Sequence, residues 1–246
     1  LGPNGAGKST LVKILTGVIQ RDGGTVELRG EAVRVSSPSR AARIGLAPVF
    51  QDAALVPDLT VAQNVRLSGV PVEAVRARLR EMDIDVDFTE QAGDLPLPTL
   101  RMIDLARALA RDPQLLLLDE ITAALPSDLA ERVFAVMEDW RRRGRSVLFI
   151  THRLAEVIAT CDRATVLRDG RDVGTLVPRE GGERQIVEYM LGPEAARAEA
   201  RAAEVDETAP VGEAAAADAG APTLEVSDLR IGNVAGVSFA LRAGEI

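Results

Sequence analysis

The run Gly2-Pro3-Asn4-Gly5-Ala6-Gly7-Lys8-Ser9-Thr10 places four residues between two glycines and follows them with Lys-Ser-Thr. That spacing suits phosphate chemistry. Glycines let main-chain N–H groups close around phosphate oxygens, and a helix starting at Lys8 would point its positive dipole end at them. Lys8 would reach the β- and γ-phosphates of a nucleotide, and the Ser9 hydroxyl would face a magnesium ion. The plain alternative is a glycine turn that enters a helix. A second chemical element is Asp119-Glu120, directly after the apolar run Leu115–Leu118. Asp119 there could hold Mg²⁺, directly or through water, and Glu120 could orient or deprotonate an attacking water. Alone, two acids at a strand end usually make a solvated turn or helix cap; beside a phosphate loop they take on a different meaning. The third is His152, the only histidine, after Val147-Leu148-Phe149-Ile150-Thr151. A lone histidine at a strand end is commonly a surface residue, but here it would lie beside the Asp119 strand within reach of a γ-phosphate. Gln51 follows another short strand, and its amide could coordinate Mg²⁺ or the attacking water; by itself it carries no signal.

These residues need a scaffold that brings strand ends together. Up to about residue 192, short apolar runs alternate with helical periodicity, which predicts an α/β domain with a parallel sheet and functional loops at the strand C-terminal ends. The expected helices are Lys8 to Thr16, Val61 to Leu67, Val72 to Met82, Leu100 to Arg111, Ser127 to Arg143 and Arg153 to Ala159. The expected strands are Thr25 to Leu28, Ile44 to Pro48, Gln114 to Leu118, Ser146 to Ile150 and Ala164 to Leu167. Residues 194–222 contain 13 alanines and seven acids and carry most of the net charge of -8. Their later part is Ala/Gly/Pro/Asp-rich and reads as a flexible linker. Strand-like alternation returns at Thr223 to Ile246.

Composition narrows the function. One cysteine and one histidine exclude a disulfide framework and imidazole-rich metal sites. The acidic balance argues against non-specific binding to nucleic acid. The longest apolar run falls far short of the roughly 20 residues that span a bilayer. Cys161 and Trp140 read as packing residues, and Arg141 to Arg143 as a solvated helix end.

Taken together, the phosphate loop, glutamine, Asp-Glu pair and histidine, in this order and at these spacings, resemble the ATP-binding cassette of ABC transporters. Three longer stretches, ARALARDPQLLLLDEITAAL, VLFITHRLAEV and CDRATVLRDGRDVGT, are closer still to the tandem-cassette ATPases of bacterial sugar importers of the ribose, galactoside and xylose type. The resemblance covers almost the whole chain. It implies a P-loop NTPase fold, α/β with a mostly parallel core sheet and a small helical subdomain at about 52–98. It also implies that ATP and Mg²⁺ bind at Gly2, Asn4, Gly5, Ala6, Gly7, Lys8, Ser9 and Thr10. Ser9, Gln51 and Asp119 would then serve the metal, and Glu120, His152 and Gln51 the chemistry. The implied activity is ATP hydrolysis that energises sugar import. The implied partners are a second cassette (in the same longer chain or a homodimer), membrane permease subunits and, indirectly, a sugar-binding protein, with no nucleic acid. The implied place is the inner face of the cell membrane, peripheral and cytoplasmic.

The chain also departs from that family. Its signature, Leu-Ser-Gly-Gly-Gln or a near variant, should stand where Leu95-Pro96-Leu97-Pro98-Thr99 stands. In the family this motif caps the γ-phosphate held by the opposing cassette. Pro96 and Pro98 have no N–H and the serine is gone, so two charge-assisted donors are lost, each worth on the order of 1.5–3 kcal/mol; donors at Thr99, Leu100 and Arg101 could remain. Equally, the segment is a loop that simply enters a helix. Ile121 replaces the expected proline, and Pro126 sits where many cassettes carry an aspartate. Two other readings therefore stand beside transport: a nucleotide-binding cassette with little turnover, and a non-transport cassette protein acting on ribosomes or DNA.

Such cassettes open with two or three strands and an adenine-stacking aromatic before the P-loop, and none precedes Leu1. The tail TLEVSDLR…GVSFALRAGEI resembles that opening. The chain therefore reads as a slice of a longer protein: cassette one at 1–192, a linker at 193–222, and the first strands of a second cassette at 223–246. The tail could instead fill the slot of the strands missing at the N-terminus, since a 29-residue coil spans roughly 30 Å.

Overall fold

The computed structural model describes residues 1–192, 222–231 and 234–245. Residues 193–221 of the expected linker lie outside the described residues. The strands are β1 (Gly23–Leu28), β2 (Glu31–Ala32), β3 (Leu46–Val49), β4 (Leu115–Asp119), β5 (Ser146–Ile150), β6 (Ala164–Arg168), β7 (Arg171–Leu176), β8 (Leu224–Ile231) and β9 (Val234–Leu241). The helices are α1 (Lys8–Leu15), α2 (Pro38–Arg43), α3 (Val61–Leu67), α4 (Val72–Glu81), α5 (Leu97–Leu109), α6 (Ser127–Arg142), α7 (Leu154–Thr160) and α8 (Gly182–Leu191).

The centre is a parallel sheet in the order β3-β4-β5. All five β4 residues are buried, as expected of a parallel strand covered on both faces. Its side chains alternate between two apolar clusters. Leu116 and Leu118 join one that contains Val61, Val75, Met102, Val133 and Trp140. Leu115 and Leu117 join the other, with Leu11, Leu15, Val26, Leu224 and Leu229. One period-2 strand thus fixes the sheet between helices α3–α6 on one side and α1 with β1, β8 and β9 on the other. α6 buries Ala130, Val133, Met137 and Trp140 at helical spacing, and Trp140 Nε1 donates to Pro113 O at 3.3 Å.

Outside this parallel core the pairing is antiparallel: one sheet in the order β2-β1-β8-β9 and a β6-β7 hairpin. The tail strands are docked: β8 pairs with β1 from Leu28↔Leu224 to Gly23↔Arg230. Beyond β9, Glu245 O accepts from Val147 N at 3.3 Å and Arg242 O accepts from Ser146 Oγ at 2.7 Å. Leu1 lies along β6, its N donating to Thr165 O and its O accepting from Leu167 N. Periodicity did not mark β2, β7 or α2, which are short or carry few apolar residues, nor α8.

One boundary matters for function. The sequence places the start of a helix at Leu100, whereas α5 begins at Leu97, with Pro96 as N-cap and no side-chain cap. Leu100 N then donates to Pro96 O at 3.1 Å and is spent inside the helix. Proline fits a first helical turn because it needs no N–H there, so Leu95–Thr99 is a helix entrance with Leu97 and Thr99 as its free donors.

Candidate nucleotide site

α1 begins at Lys8 directly after Gly7, which is left-handed at φ 98°. Gly2 has no substitute: a Cβ there would lie 2.1 Å from Leu167 O. The loop that these glycines allow exposes Asn4 and Gly5, half-buries Gly7, Ser9 and Thr10, and buries Ala6. Lys8 is 6% exposed. Its Nζ turns into the loop, donating to Gly2 O at 2.8 Å and Pro3 O at 3.0 Å.

β4 and β5 run parallel with Asp119 opposite Ile150, and this register sets the remaining groups beside the loop. Glu120 is left-handed at φ 50° and its N donates to Ile150 O at 2.9 Å. Its Oε1 lies 3.6 Å from Lys8 Nζ and 3.3 Å from His152 Nδ1. Lysine, glutamate and histidine, far apart in sequence, thus form one contiguous cluster. Asp119 is 2% exposed, and its Oδ1 is buried without a hydrogen-bond partner. Burial pushes its carboxyl above the usual range, and the neighbouring Glu120 adds to that, while the Ser9 hydroxyl and Lys8 oppose it. A buried, partly unsatisfied carboxylate next to a serine hydroxyl fits a hard, oxygen-preferring cation such as Mg²⁺. Gln51 stands apart: it follows β3, is exposed, and makes no hydrogen bond to this cluster.

The structure adds residues that the sequence did not mark. Buried Asp104 pairs with half-buried Arg107 on α5, and Arg107 Nη1 donates to Ala54 O at 3.0 Å, tying α5 to the turn after Gln51. Arg101 Nη1 donates to Ile121 O at 3.1 Å, tying the same helix to the turn after Glu120. Thr122, Thr151, Arg153 and Glu156 form a polar network just behind Glu120 and His152. Their only signal in sequence is a threonine beside each strand end, which is too common to single out.

Comparison with known proteins gives concordant results. The family model described as ABC transporter matches residues 1–123. Ribose import ATP-binding protein RbsA 2 of Rhizobium meliloti (strain 1021) is 35% identical over 260 aligned positions, which take in the whole of this chain and 48% of that protein. Ribose import ATP-binding protein RbsA 1 of Streptomyces avermitilis is 37% identical over 258, again the whole chain and 47% of that protein. The chain spans about half the length of the curated relatives it matches. Among solved structures, a nucleotide-free ATP-binding cassette from an ABC transporter superposes with a TM-score of 0.67 at 22% identity, covering 76% of this chain and 85% of that one. These likenesses show the fold. No helix among the described residues is long and apolar enough to cross a membrane.

Proposed function

The chain belongs to the ABC transporter family, and from that premise we propose that it binds and hydrolyses ATP to energise import of a sugar through a membrane permease. The observation that carries the hydrolytic part is the cluster of Lys8, Glu120 and His152 within 3.6 Å contacts at the mouth of the phosphate loop.

In this reading the N–H groups from Gly2 to Thr10 and the Lys8 ammonium hold the β- and γ-phosphates. Ser9 and Asp119 would hold Mg²⁺, with Gln51 as a further oxygen donor, and the ion would supply neutralisation of charge on the phosphates. Glu120 orients the attacking water and accepts its proton, and His152, in contact with Glu120, faces the γ-phosphate. Asp104 and Arg107 relay the position of the Gln51 turn to α5, and so to the region around residues 52–98 that would dock on the permease. The relatives' names, which speak of ribose import, support the sugar reading. A second cassette supplies the cap over the γ-phosphate, and the protein works at the cytoplasmic face. The Leu95–Thr99 entrance offers fewer donors than a serine-glycine signature, so the site capped by it is the weak member of a pair; this observation also supports the reading of a cassette with little turnover.

Glu120→Gln tests the assignment. Steady-state ATPase activity should fall by about 10²-fold or more while ATP binding persists, the range expected for loss of a general base. Unchanged turnover would sink the role of Glu120. Sugar uptake in cells that carry or lack the gene separates transport from the alternatives.

A further inference from the structure

Glu156 lies in the first turn of α7 and touches neither the phosphate loop nor Glu120. Its side chain is 10% exposed. One oxygen, Oε2, accepts two hydroxyls: Thr151 Oγ1 at 2.7 Å and Thr122 Oγ1 at 2.8 Å. The other, Oε1, accepts from Arg153 Nη1 at 3.2 Å. Thr122 and Thr151 are 0% and 2% exposed, so neither hydroxyl has water as an alternative acceptor.

Each threonine belongs to one of the two turns that carry the cluster. Thr122 is in the turn Ile121–Ala124, immediately after Glu120. Thr151 precedes His152, and its Oγ1 also accepts from Arg153 N at 3.0 Å, which closes the main chain around His152. Arg153 reinforces the bridge, its Nη2 donating to Ala123 O at 3.0 Å. A single carboxylate oxygen therefore spans the ends of β4 and β5. Hydroxyl-to-carboxylate hydrogen bonds are short and directional, so the bridge fixes separation as well as attachment. Glu120 has particular need of it: a non-glycine residue held left-handed keeps that backbone only where the surroundings over-determine it.

We infer that Glu156 is a positioning residue that sets the distance and facing of Glu120 and His152 by holding both turns through one oxygen. The inference rests on the hydrolytic reading for its consequence in turnover, while the bridge itself can be tested without turnover.

The chain's single histidine makes that test direct, because one set of imidazole ¹⁵N resonances belongs to His152. With Nδ1 facing the Glu120 carboxylate, the wild-type ring should hold its proton on Nδ1. Glu156→Ala should mix the two tautomers, whereas Glu156→Gln, whose carbonyl oxygen still accepts both hydroxyls, should keep the wild-type spectrum. Thr122→Val with Thr151→Val removes both donors at nearly constant volume; it should reproduce the alanine spectrum and serves if Glu156→Ala does not fold. In ATPase assays Glu156→Ala should lower kcat about tenfold or more with KM for MgATP within about twofold, and Glu156→Gln should stay within about threefold of wild type. Wild-type imidazole signals in the alanine variant would overturn the inference. So would a glutamine variant as disturbed as the alanine one, or parallel losses in kcat and KM. An assembled wild-type pair that hydrolyses no ATP would instead defeat the hydrolytic reading, leaving the imidazole spectra to decide the bridge.

Discussion

Lys8 and Asp119 are both nearly buried, and their charges have opposite consequences. Lys8 is held by Gly2 O, Pro3 O and Glu120, acceptors that it can exchange for phosphate. Lys8→Ala removes a charge-assisted contact worth about 1.5–3 kcal/mol; affinity for ATP, measured by calorimetry, should drop about tenfold to a hundredfold. An affinity within twofold of wild type would remove Lys8 from the site. Asp119 retains an unsatisfied oxygen, and burial raises its carboxyl pKa. Between the ordinary carboxylate range and this raised value, the folded state binds more protons than the unfolded state. Stability contributed by this group is therefore greatest at low pH and declines as pH rises through the raised value. Asp119→Asn should accordingly melt higher than wild type at pH 7, with the gap closing as pH falls into the ordinary carboxylate range, even as turnover is lost. Thermal melts of both proteins across pH check the sign; a variant less stable than wild type at pH 7 would contradict it.

At the scale of elements, β4 is the hub. Its alternate leucines feed both apolar clusters, and its C-terminal end delivers Asp119 and Glu120. The docked tail completes one cluster: Leu229 is fully buried in β8, and Leu229→Ala should cost about 2–5 kcal/mol, read as a lower melting temperature. Cys161, the only cysteine, lines a cavity that Val237, Phe239 and Leu241 of the tail close from the other side. Burial pushes its thiol up to about 11, so it should resist alkylation at pH 8 in the folded chain. Truncation after residue 221 should speed that alkylation at least about tenfold; equal rates would mean the tail does not shield this face. The start of α5 at Leu97 is also decided here, because Pro96 and Pro98 are tolerated in an entering turn but leave few N–H groups facing outward.

For the whole molecule, the chain spans about half the length of its curated relatives, and on the proposed reading, in which a second cassette caps the site, the composition of the pair is decisive. Replacing Leu95–Thr99 by a Leu-Ser-Gly-Gly-Gln signature should raise turnover at the site it caps by about tenfold or more, if the two missing donors carry the energies expected of charge-assisted bonds. ATPase rates in the assembled pair measure this, and no gain would mean that the entrance is not the limiting element.

The phosphate loop, the Asp-Glu pair and the central strands were legible in the sequence because their signals are local: glycine spacing, a five-residue apolar strand, helical periods in α3 and α6. His152 was legible only through its neighbours in sequence. The contact between Lys8, Glu120 and His152 and the Glu156 bridge were not legible, and the docking of the tail was legible only as one of two possibilities, without its register on β1. Each joins segments separated by tens to hundreds of residues, and each depends on strand register and on which polar groups burial leaves without water. Residue types set which chemistry was available; the packing of β4 between two apolar clusters decided which of those residues meet.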